Sequence, residues 1–324
     1  MAGPGGVLTL AWIGAFVGPA IILMAWALLR RSGRFRLSWI LGGLLLAAYG
    51  LAVWAFLIEP RLLVVRQITI ESAAWRGPPV RLGLISDTHV AAPHVDPARV
   101  ARVVARVNAQ HPDAVLLLGD YAGGHEPAAT RAHPERSEIL RGVTAFKGLR
   151  ARLGVYAVLG NHDWWYDGPA TERALAAAGA TVLENRAALV PRPEGVFWIA
   201  GLADLDSFRA EPSYPQALAG VPTTAPVVVM SHWPDPFAEA PDRVALTVAG
   251  HTHCGQVNLP VLGRLVHASR AARRWGCGAY VDRGRHLFVT GGVGVSILPV
   301  RFRAPPEIVI VTLRRPAQAG VVSK

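Results

Sequence analysis

The side chains equipped for chemistry fall in five short clusters: Ser86-Asp87-Thr88-His89, Gly119-Asp120, Gly160-Asn161-His162-Asp163, Ser231-His232 and Gly250-His251-Thr252-His253. Five of the eleven histidines lie in them, each with oxygen donors or another histidine beside it. An Asp and a His two residues apart can both reach one ion as the backbone leaves a sheet, and a lone Asp can bridge two ions through its two carboxylate oxygens. One Asp-x-His alone reads as a surface turn. The set of five reads as a metal centre, and mixed nitrogen and oxygen donors suit Mn, Fe or Zn better than Ca. Two ions about 3.5 to 4 Å apart would clamp a phosphoryl group and make hydroxide from a bridging water at neutral pH. The two cysteines, Cys254 and Cys277, exclude sites built on three or four thiolates and a disulfide-dense scaffold.

The elements that must position these clusters are strands, because the clusters sit at or just past the ends of short apolar runs. These run from Val80 to Ser86, Ala114 to Gly119, Val155 to Leu159, Val227 to Met230 and Leu246 to Ala249. Open α/β sheets place their ligand crevices at that end of their strands. Further runs span Leu62 to Ile70, Val196 to Gly201, His286 to Thr290 and Glu307 to Leu313. Asp96 and Pro97 read as N-cap and first turn of a helix in which Val100, Val103, Val104 and Val107 recur at helical spacing. Helical pieces are also expected near Arg131 to Leu149 and Thr171 to Ala178. The order predicts an α/β fold of stacked sheets flanked by helices.

The five blocks, in this order, resemble the calcineurin-like metallophosphoesterase superfamily over residues 80–313. The likeness is to its membrane-associated bacterial phosphodiesterase branch. Gly250-His251-Thr252-His253 runs on into Gly255-Gln256, and the end reads Gly291-Gly292-Val293-Gly294, Pro299, Arg301 and Pro306-Glu307-Ile308. The resemblance implies a pair of mixed β-sheets with helices outside and two divalent ions. Asp87, His89, Asp120 and His253 would hold one ion, and Asp120, Asn161, His232 and His251 the other, with Asp120 bridging. It further implies that His162 protonates the leaving oxygen and that Asp163 orients it. The implied reaction is hydrolysis of an anionic phosphoester, diester or monoester, by metal-bound hydroxide. From another class comes a catalytically silent, metal-stabilised binding or sensor domain, against which His162 speaks, since a binding module needs no positioned acid.

Cys254 departs from the branch, which usually has Gly there, and reads as a small neutral filler rather than an adventitious metal ligand, with its pairing to Cys277 left open. His94, His111, His125, His133, His267 and His286 read as surface or loop histidines. Arg264, Arg270, Arg273, Arg274, Arg283 and Arg285 read either as solvated loop residues or as a border that recognises phosphate. Trp164, Trp165 and Tyr166 read either as core or as an apolar lip.

The chain has 324 residues, is 52% hydrophobic and 17% charged, and has a mean hydropathy of +0.31, too apolar for an ordinary soluble domain. Val7 to Leu29 and Trp39 to Ile58 carry no charge and are each long enough to cross a bilayer, so two transmembrane helices are expected. Residues 1–60 would be a multi-pass membrane anchor and residues 61–324 the catalytic domain. Arg30, Arg31, Arg34 and Arg36 crowd the loop between the spans, which places that loop in the cytoplasm and the catalytic domain on the periplasmic or extracellular side of the plasma membrane. The net charge of +11 comes from 31 Arg and only Lys147 and Lys324, and fits anionic substrate or membrane lipid. No basic arm of the kind that binds nucleic acid is found, and no such partner is expected.

Overall fold

The computed structural model describes residues 4–193 and 195–317; Lys324, at the end of the expected catalytic domain, lies outside the described residues. The chain begins with two helices, α1 (Pro4–Arg31) and α2 (Phe35–Val53), the second prolonged by a π turn over Trp54–Ile58 and a 3₁₀ turn over Glu59–Arg61. Both are long and apolar enough to cross a membrane, and most of their surface is not covered by protein. α1 continues through Pro19, and the two helices approach closely where Tyr49 donates a hydrogen bond to the Ala15 carbonyl at 2.6 Å. Gly18 permits that approach, since a Cβ there would lie 2.8 Å from the Tyr49 ring.

Two six-stranded sheets follow. The first contains β1 (Val64–Glu71), β2 (Val80–Ile85), β3 (Ala114–Leu117), β4 (Val155–Ala157), β5 (Ala180–Val182) and β14 (Glu307–Arg314), in the order β1-β14-β2-β3-β4-β5. The second contains β6 (Arg186–Arg192), β7 (Gly195–Gly201), β8 (Val227–Met230), β9 (Val244–Ala249), β12 (Gly278–Asp282) and β13 (Arg285–Val289), in the order β12-β13-β9-β8-β7-β6. β10 (Asn258–Leu259) and β11 (Gly263–Arg264) form a separate hairpin. β2 to β5 run parallel, as do β7, β8, β9 and β13.

Strand alternation sorts the side chains between two cores. Leu82, Leu84 and Leu116 meet Phe197, Ile199, Val228, Met230 and Val248 between the sheets. Ile85, Val115 and Leu117 point the other way, against α3 (Pro97–Asn108), α4 (His133–Thr144) and α5 (Asn161–Ala177). The α/β architecture of two packed sheets flanked by helices is thus as the sequence predicts. Besides the β10–β11 hairpin, three strands of the two large sheets escaped the sequence reading, β5, β6 and β12. The first is only three residues long, and the other two are sheet edges with several solvent-facing residues. α5 starts ten residues before the expected Thr171, and its helical geometry breaks at Asp167 (φ −173°, ψ 86°), just before Gly168-Pro169.

Candidate metal centre

All five clusters converge at one end of the two sheets. Asp87 and His89 follow β2, Asp120 follows β3, Asn161 and His162 open α5 beyond β4, His232 follows β8, and His251 and His253 follow β9. The backbone there is unusual: Asp87, His89, Asp120, His251 and His253 all have positive φ, between 44° and 65°. Left-handed backbone costs a non-glycine residue of order 1–3 kcal/mol and here turns each side chain back toward a common point. Gly119, at φ 94°, lets the β3 loop touch the start of α5, since a Cβ there would lie 2.6 Å from the Gly160 nitrogen.

The donor atoms form three overlapping groups, Asp87-His89-His253, His89-Asp120-His162 and Asp120-His232-His251, each with its ligand atoms within 4.8 Å of one another. Asp120 belongs to two of them. Its Oδ2 lies 3.5 Å from His89 Nε2, 3.2 Å from His232 Nε2 and 4.0 Å from His162 Nε2. His253 Nε2 lies 3.4 Å from Asp87 Oδ1 and 3.0 Å from His89 Nε2.

Backbone carbonyls set the imidazole tautomers. His232 Nδ1 donates to Leu118 O at 2.7 Å, His89 Nδ1 to Ala122 O at 3.3 Å, and His162 Nδ1 to Gly124 O at 2.7 Å, so each Nε2 faces inward. Burial, then His162 and His232, lowers His89 to about 3, and burial with His232 does the same for His251. Burial, His89 and Arg301 hold His253 well below the ordinary value. Burial would lower His232 as well, but the carboxylates of Asp120, Asp87 and Asp204 outweigh it and hold that ring well above the ordinary range. Burial opposes ionisation of Asp120 too, yet His232 and His162 keep its carboxyl well below the usual value. Asn161 Oδ1 is buried without a hydrogen-bond partner. Neutral imidazoles at His89, His251 and His253, an ionised carboxylate between two groups and an orphaned amide oxygen are what divalent cations require, and His232 turns its Nε2 toward the same carboxylate, so these residues fit the metals the fold family implies.

One expected contact is absent. Asp163 does not touch the His162 ring, whose Nδ1 is held by the Gly124 carbonyl. Instead, from the first turn of α5, its carboxylate accepts N–H bonds from Gly160, Asp120, Tyr121 and Ala122 at 2.8–3.0 Å. It therefore fixes the Asp120 loop and positions His162 only through the backbone. Burial and the Asp120 carboxylate push its own carboxyl up to about 7.

Cys254 is likewise not a free filler. It forms a disulfide with Cys277, with the two Cα atoms 4.9 Å apart, because the left-handed turn at Cys254 (φ 53°) aims it at the strand entering from Cys277.

A cleft of about 390 Å³ opens beside the cluster, lined by His162 and His251 and by Trp165, Trp233, Ile297 and Leu298. Trp233 stacks on His251 with ring centroids 3.5 Å apart, and His125 and Trp165 flank His162 at 4.8 and 4.7 Å. The aromatic run divides: Trp164 and Tyr166 are core, whereas Trp165 faces the cleft. None of the six arginines of the basic segment lines the cleft; Arg285 is buried and holds the Ala238 and Ala240 carbonyls. Sequence reading missed Arg301, a fully buried guanidinium that binds the carbonyls of Gly291, Gly294 and Ala304 and reaches His253 Nδ1 at 3.3 Å. Its presence in the closing motif was the only signal.

A family model described as calcineurin-like phosphoesterase matches residues 80–255, just over half of the chain, and includes all five clusters in full. The chain belongs to the calcineurin-like phosphoesterases. It is 31% identical over 287 residues to the Danio rerio transmembrane protein with metallophosphoesterase domain, spanning 83% of this chain and 60% of that protein. It is 28% identical to the uncharacterized metallophosphoesterase YkuE of Bacillus subtilis, over 81% of this chain and 89% of the relative, and 28% identical to the phosphodiesterase YaeI of Escherichia coli, over 72% and 82%. As a calcineurin-like phosphoesterase the chain is a metal-dependent phosphoesterase, and its two N-terminal helices are long and apolar enough to cross a membrane.

Proposed function

We propose that this chain is a membrane-anchored, dinuclear-metal phosphoesterase that hydrolyses a phosphodiester or phosphomonoester on a lipid-linked or wall-linked substrate. Residues 1–60 anchor it and residues 61–324 carry the chemistry. The observation that carries this reading is the place of Asp120, whose carboxylate faces two donor groups, while Asn161 Oδ1 is buried and unpaired one residue before His162, whose backbone N–H donates to that carboxylate. Asp87, His89, Asp120 and His253 would hold one ion, and Asp120, Asn161, His232 and His251 the other. When bound, such ions supply a low-pKa water and neutralise phosphoryl charge.

The remaining steps fall to the chain. His162, its Nδ1–H fixed on the Gly124 carbonyl, presents Nε2 to the cleft and delivers a proton to the leaving oxygen. Asp163 keeps the Asp120 loop against the turn that carries His162. Trp165, Trp233 and Leu298 offer an apolar wall to whatever the phosphoryl group is esterified with. A positioned His162 argues against a silent sensor domain. The loop arginines between the spans argue for a multi-pass protein of the plasma membrane with this domain outside the cytoplasm.

Detergent-solubilised full-length protein should be assayed with Mn against nitrophenyl phosphodiesters, nitrophenyl phosphate and phospholipids. Hydrolysis that stops on chelation and returns with Mn is expected. A protein that binds metal yet turns over none of them would favour the sensor reading.

A further inference from the structure

The cleft has an apolar outer rim that no part of the described chain covers. At the tip of the β10–β11 hairpin, Val261 is wholly exposed and Leu262 is 70% exposed, and Leu265 and Val266 follow, also exposed. Val261 sits at φ 68°, a conformation that β-branched residues rarely adopt, which turns it outward. A second loop presents Ile297 and Leu298, again exposed. Gln256 ties the two together: its Nε2 donates to Leu298 O and Val300 O, and its Oε1 accepts from Ser296 N.

This rim is fastened to the end of the second apolar helix. Arg301 N donates to Ala55 O at 2.9 Å, and Ala304 N donates to Glu59 Oε1 at 2.7 Å. Ala55 lies inside the uncharged stretch that reaches Ile58. Leu298 is thus three residues from a contact with the backbone of that uncharged stretch. By the helix exit runs a groove of about 1090 Å³ lined by the exposed Arg61, Arg102 and Arg106, with Arg99 buried beneath on the carbonyls of Pro60, Arg61 and Leu62. His94, which lines it, is hydrogen-bonded to Pro299 O in the rim. Apolar tips and arginines around one helix exit are the composition of a surface that enters an anionic bilayer interface.

We propose that the β10–β11 hairpin and the Ile297–Leu298 loop insert into the leaflet where α2 leaves the membrane, so that the cleft mouth opens onto lipid. Ile297, Leu298 and Val266 line that mouth together with His162 and His251. The substrate class is then a phosphoester whose apolar chain stays against Val266, Ile297 and Leu298 while its phosphate reaches the metal residues. The insertion rests on the membrane anchor proposed above, and this last step on the phosphoester substrate proposed with it.

The test uses the full chain in vesicles of phosphatidylethanolamine and phosphatidylglycerol. Leu262→Cys and Ile297→Cys are labelled with an environment-sensitive fluorophore, without reductant so that the native disulfide stays closed. Arg76→Cys, past the far end of β1 and roughly 25 Å from the helix exit, is the control. Labels at 262 and 297 should shift to the blue and be quenched by nitroxide lipids, and the label at 76 should not. Solvent-like emission at 262 and 297, or a blue shift that nitroxide lipids leave unquenched, overturns the proposal, the second outcome assigning the rim to a protein partner. The double variant Val261→Asp, Leu262→Asp should lose about tenfold or more in hydrolysis of bilayer-borne lipid phosphoester and keep its rate on a soluble nitrophenyl diester. Equal rates on the bilayer substrate would also overturn it. Should the unmodified protein hydrolyse nothing, the functional reading fails while the quenching result still decides the rim.

Discussion

At the scale of single residues, the centre turns on how one carboxylate and one imidazole are held. Asp120 faces His89 and His232 from the same oxygen, so removing it withdraws a ligand from both donor groups at once. Asp120→Ala should bind fewer metal ions than any single-histidine variant and lose turnover, read by elemental analysis beside the phosphodiester assay. Two ions per chain with normal turnover would refute the bridging role. His162 lies at the edge, 4.0 Å from Asp120, with its ring flanked by Trp165 and His125. His162→Ala should keep its metals and lose rate on the order of 10² to 10⁴, with recovery on good nitrophenolate leaving groups. An equal loss on good and poor leaving groups would remove it from the acid role. The residue types of this site were legible in the sequence, because metal donors and a proton donor come from a short menu of side chains. The Gly124 carbonyl that orients His162 was not, since a backbone group leaves no mark on residue type, and so Asp163 received a contact it does not make.

At the scale of elements, the strands that carry site residues announced themselves as continuous apolar runs, because sheets covered on both faces need apolar side chains on both. The first turn of α5 did not, as it is built from Asn161, His162 and Asp163 rather than from periodic apolar residues. Nor could spacing link Arg301 to His253, 48 positions apart. That guanidinium is the tie between the closing loop and the metal cluster. Arg301→Met should leave the Gly291, Gly294 and Ala304 carbonyls unpaired and cost about 3 kcal/mol or more. At roughly 2–4 °C per kcal/mol the melting temperature should fall by about 6 °C or more, and metal affinity should weaken about tenfold or more. An unchanged melting temperature and affinity would show the tie to be dispensable. His94 joins the same loop to the helix exit. Burial, with Arg61 and Arg99 adding to it, lowers this histidine to about 4. The folded protein then binds fewer protons than the unfolded chain between about pH 4 and 6.5, so the stability His94 contributes is present above 6.5 and is lost as pH falls toward 4. With its partial exposure allowed for, about 1 to 2 kcal/mol should disappear between pH 7.5 and 5, and His94→Gln should flatten that share of the profile in urea titrations. An identical pH slope in the variant would count against it.

At the scale of the whole molecule, the proposed membrane anchor implies that the two sheets stand on one side of the bilayer. The two helices form a hairpin, with the guanidinium of Arg61 4.9 Å from the Trp12 ring centroid at the end that carries the catalytic domain. Arg30, Arg31, Arg34 and Arg36 stand at the opposite end of the hairpin, and cytoplasmic loops retain such arginines. The Cys254–Cys277 disulfide argues in the same direction, because disulfides persist outside the reducing cytoplasm. Both features support the outward-facing domain proposed above. A reporter that is active only after export, fused behind Lys324, should be active, and protease added to spheroplasts should digest the chain beyond Ile58. A thiol reagent applied to whole cells should modify Cys254 and Cys277 only after reduction. A cytoplasmic reporter fluorescing at the same fusion point, with free thiols and a protected domain, would reverse the topology and move the substrate from the outer to the inner leaflet. The rim around the cleft would then meet lipid from the cytoplasmic side, since its place beside the end of α2 is fixed by Ala55 and Glu59 whichever way the hairpin is threaded.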